Sequence, residues 1–391
     1  MNKRIKVMHI SEATSGGVWT HLKQLAENLP QSKFEQKFIL SSIKNPKLKE
    51  GTEFQNYNFQ LVDMVREINP IKDIISLIKI YKILKKEKPD IVHCHSSKAG
   101  VIGRIANTIL RNKITLYTPH SYSFNDFNNA FKNYIYITVE KIMGLITTRL
   151  ICVSEGEFTQ SIANKIVDKE KLIVVNNGVQ ISSVTGKNIE KKSVFLKQHG
   201  YKGDEYVIGF VARLAMQKDP NTFIEACLSL KEYNIAVIIL GDGPLEDTIA
   251  SKIKNNDAEN LFRVLGYVKN TAYYYENFDL FVSTSLWEGL PYSILEAMNA
   301  EVPIIATSIE GVTELIIDSK TGLLVRPKDV KGLSNQIKKL LSDKALNQKL
   351  SKNAKNHLIT HYSIENMVEI LSELYVSLYN EEKIKRNFRQ N

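Results

Sequence analysis

Two glutamates, Glu288 and Glu296, fall in the run Ser283 to Met298, S-T-S-L-W-E-G-L-P-Y-S-I-L-E-A-M. The run reads as a strand ending near Thr284, a short loop and the start of a helix. Pro291 suits the first helical turn, because its missing N–H would have no intrahelical partner there. A helix amino-terminus at the carboxyl edge of a parallel sheet offers N–H groups and the positive end of a dipole, a seat for a diphosphate. Glu288 belongs to the loop and Glu296 lies more than a turn inside the helix, so the two carboxylates need not share a task. A carboxylate accepts two hydrogen bonds from a vicinal diol, so one can meet a sugar and the other a ribose. Two glutamates alone would also fit a capping acid and a solvated helix acid; Gly289, Leu290 and Pro291 between them favour the site.

A second element, Gly209-Phe-Val-Ala-Arg213-Leu-Ala-Met-Gln-Lys218, places two cations just beyond a strand. Departure of a nucleoside diphosphate builds negative charge, and fixed Arg and Lys groups in a water-poor site stabilise that charge more as it grows. In the first half of the chain, Gly16 and Gly17 form a loop after the first strand, where glycine lets the backbone approach a ligand closely. His120, in Tyr117-Thr-Pro-His-Ser121, lies just past a strand end, a place that also suits a structural hydrogen bond. His93 and His95 share one side of their strand by period-two alternation. With only Cys94 between them and no third ligand in view, they point to acceptor-side contact rather than to a metal pair. No D-x-D triplet for a metal-bridged diphosphate occurs; Arg213, Lys218 and the helix terminus can replace that charge, so no metal or other cofactor is expected.

Taken together, these segments resemble glycosyltransferase family four, a group of retaining enzymes with two Rossmann-like domains (GT-B). The family's G-R-L-x-x-x-K phosphate motif is matched by Ala212-Arg213-Leu214 with Lys218, and its E-x7-E signature by Glu288 and Glu296. Gly241-Asp242-Gly243-Pro244, Gly266-Tyr267-Val268, Pro303 and Gly311-Val312-Thr313-Glu314-Leu315 match further landmarks, so the resemblance spans essentially the whole chain. Three departures stand out. Ala212 replaces a more frequent glycine, Asn299-Ala300-Glu301 stands where a small residue and a glycine are common, and Gln180 follows Asn176-Asn177-Gly178-Val179 where an aspartate is frequent.

The resemblance implies transfer of a hexosyl unit, with retention, from a nucleoside diphosphate sugar to a hydroxyl acceptor, with UDP the leading nucleotide. The acceptor would be a glycan or a lipid-diphosphate-linked oligosaccharide of surface polysaccharide. Arg213, Lys218, Glu288 and His120 would act at the reacting centre, with His120 touching the donor sugar. Gly16, Gly17, Gly266, Val268, Gly289, Leu290, Pro291 and Glu296 would complete the donor site. The competing readings are a sugar-nucleotide epimerase and an inactive nucleotide- or glycan-binding partner of a transferase. A dinucleotide dehydrogenase is disfavoured because G-x-G-x-x-G is missing after both first strands.

The elements that must hold these residues alternate between strand and helix, which argues for parallel sheets covered by helices. A β-run at Ile5 to Ile10 precedes a helix pattern from Val18 to Leu29, and further β-runs lie at 37–41, 90–94, 114–118, 150–153 and 172–175. Alternation weakens after Gln180 and resumes at Tyr206, with strands at 206–213, 236–240, 262–268, 279–284, 303–307 and 322–325. The expected fold class is therefore α/β: two doubly wound domains facing across a cleft. An acceptor domain would cover 1–180, a linker 181–203 and a nucleotide-sugar domain 204–362, with a helix and basic tail at 363–391 crossing back to the first domain. That last helix, Ile364 to Tyr379, puts Met367, Ile370, Leu371, Leu374 and Leu378 on one face, and the tail beyond it reads as frayed.

Composition sets the remaining bounds. With 43% hydrophobic and 24% charged residues in 391, the chain is an ordinary globular protein, and its three cysteines provide neither a disulfide framework nor a zinc site. The sequence reads as lacking a secretory signal, and Ile135 to Val153 is broken by Glu140, Lys141 and Arg149, so a cytoplasmic protein is expected. The net charge of +10 lies wholly in residues 1–180, which hold 26 Lys and Arg against 16 Asp and Glu. Such a face suits anionic inner-leaflet lipid or a phosphorylated substrate, with no nucleic-acid partner expected. Within Pro70 to Lys88, a stripe of Ile71, Ile74, Ile75, Ile78 and Leu84 is expected to pack on the sheet. Its lysines, Lys82, Lys85, Lys86 and Lys88 among them, would then hold the protein reversibly at the membrane.

Overall fold

Short runs of branched apolar residues between turn residues pair as parallel strands, and parallel pairing requires a long crossover, most often a helix. The computed structural model describes residues 3–65, 67–112, 114–125, 130–182 and 189–390. The chain divides into two units, residues 1–177 with 364–391, and residues 178–363.

In the first unit the order is β1 (Ile5–Ser11), α1 (Gly16–Asn28), β2 (Phe34–Leu40), α2 (Lys47–Glu50), β3 (Phe59–Leu61) and α3 (Pro70–Glu87). There follow β4 (Ile91–His95), α4 (Ser97–Ile109), β5 (Thr115–Thr118), α5 (Ala130–Leu145), β6 (Arg149–Cys152), α6 (Glu155–Ala163) and β7 (Leu172–Val174). Among the described residues the strands form one parallel sheet in the order β3-β2-β1-β4-β5-β6-β7. Strand order reverses at β1, so right-handed crossovers put α3, α4 and α5 on one face and α1 on the other. The core follows this division. Ile80 and Leu84 of α3 pack with Ala99, Ile102 and Ala106 of α4, while Leu25 of α1 packs under β1 with Ile5 and Val7.

The second unit runs α7 (Ile189–Gln198), β8 (Tyr206–Val211), α8 (Pro220–Leu228), β9 (Ile235–Leu240), α9 (Glu246–Lys254), β10 (Phe262–Val264) and α10 (Ala272–Tyr275). It continues with β11 (Leu280–Ser283), α11 (Tyr292–Asn299), β12 (Ile304–Thr307), β13 (Leu323–Val325), α12 (Val330–Ser342) and α13 (Lys344–His361). Its parallel sheet has the order β10-β9-β8-β11-β12-β13, again reversing at its first strand. The last helix, α14 (Ile364–Gln390), returns to the first unit and buries Met367, Val368, Leu371, Tyr375 and Leu378 beside Ile5, Val7 and Leu25.

Several expectations are corrected. The stretch read as a linker contains α7, whose Phe195 and Leu196 are fully buried; residues 183–188 lie outside the described residues. Gly16 and Gly17 open α1 rather than forming a loop before it, and the positive φ of Gly16, 64°, is why glycine suits that first position. The final helix continues to Gln390 instead of fraying after Tyr379, and Ile370 stays 40% exposed while Tyr375 takes the buried place on that face. In α3 the buried side chains are Ser76, Ile80 and Leu84, and Ile71, Ile74, Ile75 and Ile78 face outward. The helix has two apolar stripes, and the one continued by Leu77, Tyr81 and Leu84 matches the groove beside α4.

Leu371→Ala should lower the unfolding free energy by about 2–5 kcal/mol, whereas Ile370→Ala, half-exposed one position away, should cost under about 0.5 kcal/mol. Urea denaturation of the two variants compares them directly; equal small losses would mean that α14 does not anchor the first unit.

Candidate active site

The second unit gathers its chemical residues at the carboxyl edge of its sheet. After β8 the chain turns through Ala212 to Ala215, and a short 3-10 turn, Met216 to Lys218, delivers Lys218 just before α8. Asp219, with φ of 41°, caps α8 by accepting from the Thr222 hydroxyl at 2.6 Å and its backbone N–H at 3.3 Å. After β11, Thr284 donates its hydroxyl to the carbonyls of Lys218 (3.0 Å) and Asp219 (2.8 Å), and Leu286 N–H donates to Gln217 O at 2.7 Å. These bonds lock the two loops together. Lys218 forms an ion pair with Glu288, and the Ser285 hydroxyl donates to the same carboxylate oxygen at 2.6 Å. The Glu288 side chain is only 7% exposed, so this pair supplies most of its solvation. Arg213, on the same loop, is exposed to solvent.

Glycines explain why these loops can lie so close. A Cβ on Gly241 would sit 1.9 Å from Ala212 O, one on Gly243 2.5 Å from Leu214 O, and one on Gly311 2.0 Å from Gly289 O. The Gly241-Asp-Gly-Pro turn thus backs the Arg213 loop, and the Gly311 turn backs the Glu288 loop. Pro291 is the residue before α11 rather than its first helical residue, with ψ of 121°. Leu290 and Tyr292 are buried on either side of it. Glu296, half-buried in α11, accepts from the Thr271 hydroxyl at 3.3 Å. Gly266, whose carbonyl accepts from Gly241 N–H at 2.7 Å, and Val268 lie in the loop after β10. Sequence reading placed Lys218 and Glu288 in separate tasks, phosphate and sugar; the structure joins them in one ion pair.

In the first unit, five histidines converge at the carboxyl edge, on β1, α1, β4 and the turn after β5. His9 Nδ1 lies 3.1 Å from His95 Nε2, and His95 Nδ1 lies 3.2 Å from His120 Nε2, giving a chain of three imidazoles. His93 is fixed separately, between the Tyr375 hydroxyl of α14 at 2.7 Å and Thr118 Oγ1 at 2.8 Å. His21 Nδ1 lies 3.1 Å from Asn177 Oδ1, and its ring stands edge-on to His120 with centroids 4.6 Å apart. Burial, reinforced by His21, pulls His9 down to about 3; burial also pulls His21 down to about 4, against the bond from Asn177. His93, His95 and His120 are likewise held well below the ordinary imidazole value, first by burial and then by the neighbouring rings. All five are neutral.

His93 and His95, expected on the acceptor side, are fully buried with both ring nitrogens of each engaged inside the first unit, so only the half-buried His120 presents this group outward. His120 and Ser121 both have positive φ, 54° and 82°, which turns the chain sharply after β5. Two trios, His9 with His93 and His95, and His21 with His95 and His120, have ligand atoms within 4.8 Å of one another. A cation there would have to displace the imidazole chain or the bonds to Thr118 and Tyr375. Cys94 adds no thiolate, since burial pushes its thiol up to about 12.

Two positioning carboxylates escaped sequence reading. Glu157 accepts from the backbone N–H groups of Ser121 and Val153, pinning the His120 turn to the start of α6. Glu12 accepts from the Ser96 hydroxyl at 2.5 Å and from Ala99 N–H at 2.9 Å, so it caps α4 directly after the His95 strand. The spacing Ser154-x-x-Glu157, a capping-box pattern, carried a signal for the first; Glu12 carried none.

Known proteins bear on both units. The family described as "Glycosyltransferase Family 4" matches residues 15–183, and the one described as "Glycosyl transferases group 1" matches residues 191–357. A UDP-Gal:alpha-D-GlcNAc-diphosphoundecaprenol alpha-1,3-galactosyltransferase of Escherichia coli is 31% identical over 96% of this chain and 98% of its own. The capsular polysaccharide biosynthesis glycosyltransferase CapM of Staphylococcus aureus is 25% identical over 93% and 98%. Among solved structures, HepE of Anabaena in complex with UDP-glucose shares the fold, with a TM-score of 0.82 and 19% identity over 96% of this chain and all of that one.

Neutral burial of the imidazoles has a consequence for stability. In the unfolded chain each ring takes up a proton as pH falls through about 6.5, while the buried rings refuse it until far lower. The unfolded state therefore binds more protons, and stability falls with pH from about 6.5 toward the folded values of about 3 and about 4 for His9 and His21. Each fully buried ring should contribute about 1.4 kcal/mol per pH unit in that window. Urea denaturation of the protein between pH 7.5 and about 5.5 should show this steep loss; a flat profile would mean that the rings are charged or solvated.

Proposed function

The chain belongs to glycosyltransferase family four, and we propose that it transfers a hexosyl unit from a UDP-sugar to a hydroxyl of a polyprenyl-diphosphate-linked glycan. That it is a glycosyltransferase follows from the family, shown by the full-length 31% identity to the Escherichia coli enzyme. The donor and acceptor classes extend what that relative's name states, with bacterial surface polysaccharide as the product. The observation that carries the reading is the Lys218–Glu288 pair, held among four interlocked loops, one of which also carries Arg213.

A donor diphosphate arriving at this edge meets Lys218 and Arg213. As the bond to the sugar breaks, negative charge grows on the diphosphate, and Lys218 shifts its interaction from Glu288 toward it. Glu288, kept in place by Ser285, is then available to accept from sugar hydroxyls, and Glu296 from the ribose diol. Gly266, Val268, Gly289, Leu290 and Pro291 complete the proposed donor site. For the first unit we assign His120 the contact to the transferred sugar that the family resemblance gives it, with His95 fixing its ring and Gly16 and Gly17 bordering the substrates. Retention proceeds in this reading by a front-face ion-pair route, and the two cations carry the charge without an obligatory metal. The enzyme works at the cytoplasmic face of the membrane, where anionic inner-leaflet lipid attracts its basic first unit.

Arg213→Ala should lower kcat by about a hundredfold or more with an unchanged melting temperature, because Arg213 is exposed. Lys218→Ala should lose comparable turnover but also stability, since it strands the nearly buried Glu288 carboxylate. Acceptor-dependent UDP release, measured with calorimetric stability on the same samples, tests both. Normal turnover in Arg213→Ala would refute the assignment, and tight UDP binding without any acceptor-dependent release would identify an inactive partner instead.

Glu296→Gln should chiefly weaken binding of free UDP, and Glu288→Gln should chiefly lower kcat. Titration calorimetry with UDP separates them; equal losses of UDP affinity would overturn that division.

A further inference from the structure

The outward isoleucines of α3 do not stand alone. Their spacing, Ile71, Ile74, Ile75 and Ile78, makes one stripe, and these residues are 75%, 57%, 48% and 49% exposed. Helix α5 carries a second outward stripe, Phe131, Tyr134, Ile135, Ile142 and Leu145, at 73%, 70%, 37%, 53% and 80% exposure. Helices α3, α4 and α5 follow one another on the same face of the first unit's sheet, and the inward side chains of all three join one core. Both α3 and α5 start at the carboxyl edge, so Ile71 to Ile78 and Phe131 to Ile135 stand toward the same end of that face. Large exposed apolar groups gathered in this way mark a docking surface.

Charge decides what docks there. Lys72, Lys79, Lys82, Lys85, Lys86, Lys132 and Lys141 are exposed on the same two helices. Every carboxylate of these helices is instead engaged in an ion pair: Asp73 with Lys98, Glu87 with Lys37, and Glu140 with Arg104. The exposed charge on the two helices is therefore cationic, interleaved with isoleucines and with an aromatic pair, Phe131 and Tyr134. No helix among the described residues is long and apolar enough to cross a membrane. A surface of cations and apolar side chains whose carboxylates on these two helices are all ion-paired complements an anionic lipid interface, where aromatic and aliphatic side chains sink below the headgroups.

We propose that the outer faces of α3 and α5 form a bilayer-docking surface that inserts Ile71, Ile74, Ile75, Ile78, Phe131 and Tyr134 into an anionic leaflet. This goes beyond salt-reversible attraction: the apolar part of the binding survives high salt, because insertion is not screened. Docking needs no turnover, so its test is separate from that of the transferase reading.

The full chain is sedimented with vesicles of phosphatidylcholine alone or with phosphatidylglycerol, at low and at high salt. Binding to the anionic vesicles at low salt is expected, with a residual fraction that high salt does not remove. Ile74→Ser with Ile75→Ser and Phe131→Ser should abolish that residual fraction, each change weakening partition about tenfold. Lys72, Lys79, Lys82 and Lys132 exchanged for glutamine should remove the salt-sensitive part instead. All variants change exposed residues, and an unchanged melting temperature by circular dichroism confirms that each is folded. Three results would overturn the proposal: no binding to anionic vesicles at low salt, binding wholly reversed by salt, or unaltered binding of the serine variant. Concentration-dependent self-association that the serine changes abolish, without vesicle binding, would show that a second copy of the chain covers this face.

Discussion

Parallel strand pairing is the constraint on which the rest of the structure depends. A parallel strand cannot be reached by a tight turn, so each sequential pair needs a crossover, which is helical everywhere except between β12 and β13. In both units this covers the two faces of the sheet with helices and sends every loop that leaves a strand out at the carboxyl edge. The reversal of strand order at β1 and at β8 then separates neighbouring loops at one point, where there is room for a ligand. His9 and His95 lie on the paired strands β1 and β4, and Arg213, Lys218 and Glu288 in the loops after β8 and β11. The candidate site residues lie there because that is where loops from neighbouring strands diverge to opposite faces of the sheet.

Loops at such an edge hold polar groups close together, and each buried one requires a partner. Arg104 and Glu140 show how strictly this is met. The guanidinium donates to Glu140 at 2.8 Å and to Gly100 O at 2.6 Å, and stacks 3.9 Å from the Tyr117 ring, whose hydroxyl donates to Glu140 at 2.8 Å. That network joins α4, α5 and β5, the strand that leads into the His120 turn. Glu12 and Glu157 do the same for the segments on either side. One exception is His9 Nε2, buried beside Phe38 without a hydrogen-bond partner, and leaving it so costs roughly 1–3 kcal/mol. Its other nitrogen reaches His95, and through it the ring that faces outward.

The chain passes between units near Asn177 and again near Ile364, and within the second unit the two passages are bound together. Val179 pairs with Ser363, and Val179 N–H donates to Tyr362 O at 3.1 Å. Asn299 donates to Gln180 O at 2.8 Å and accepts from Ser182 N–H at 3.1 Å, while Lys355 bonds Ser182 O and both oxygens of Asn299. Asn299, which departs from the family's usual small residue, therefore fastens the crossing segment to the end of α11, the helix that carries Glu296.

Much of this was legible in the amino-acid order. Alternating apolar runs located most strands of both sheets, because a strand buried on both faces must be apolar throughout. The glycine and charge spacings around Arg213, Lys218, Glu288 and Glu296 singled out loops that the fold packs together, because loops that nearly touch tolerate no side chain at Gly241, Gly243 or Gly311. What the sequence alone determined was thus the local period and the local chemistry. Tertiary structure decided which of two apolar stripes on α3 faced the core, since hydrophobicity drives burial without choosing a direction. It decided that Lys218 and Glu288, 70 residues apart, form one ion pair, and that His9 and His95, 86 apart, share a hydrogen bond. Such pairings are set by strand order, which is fixed by the closure of the whole sheet and not by any segment read alone.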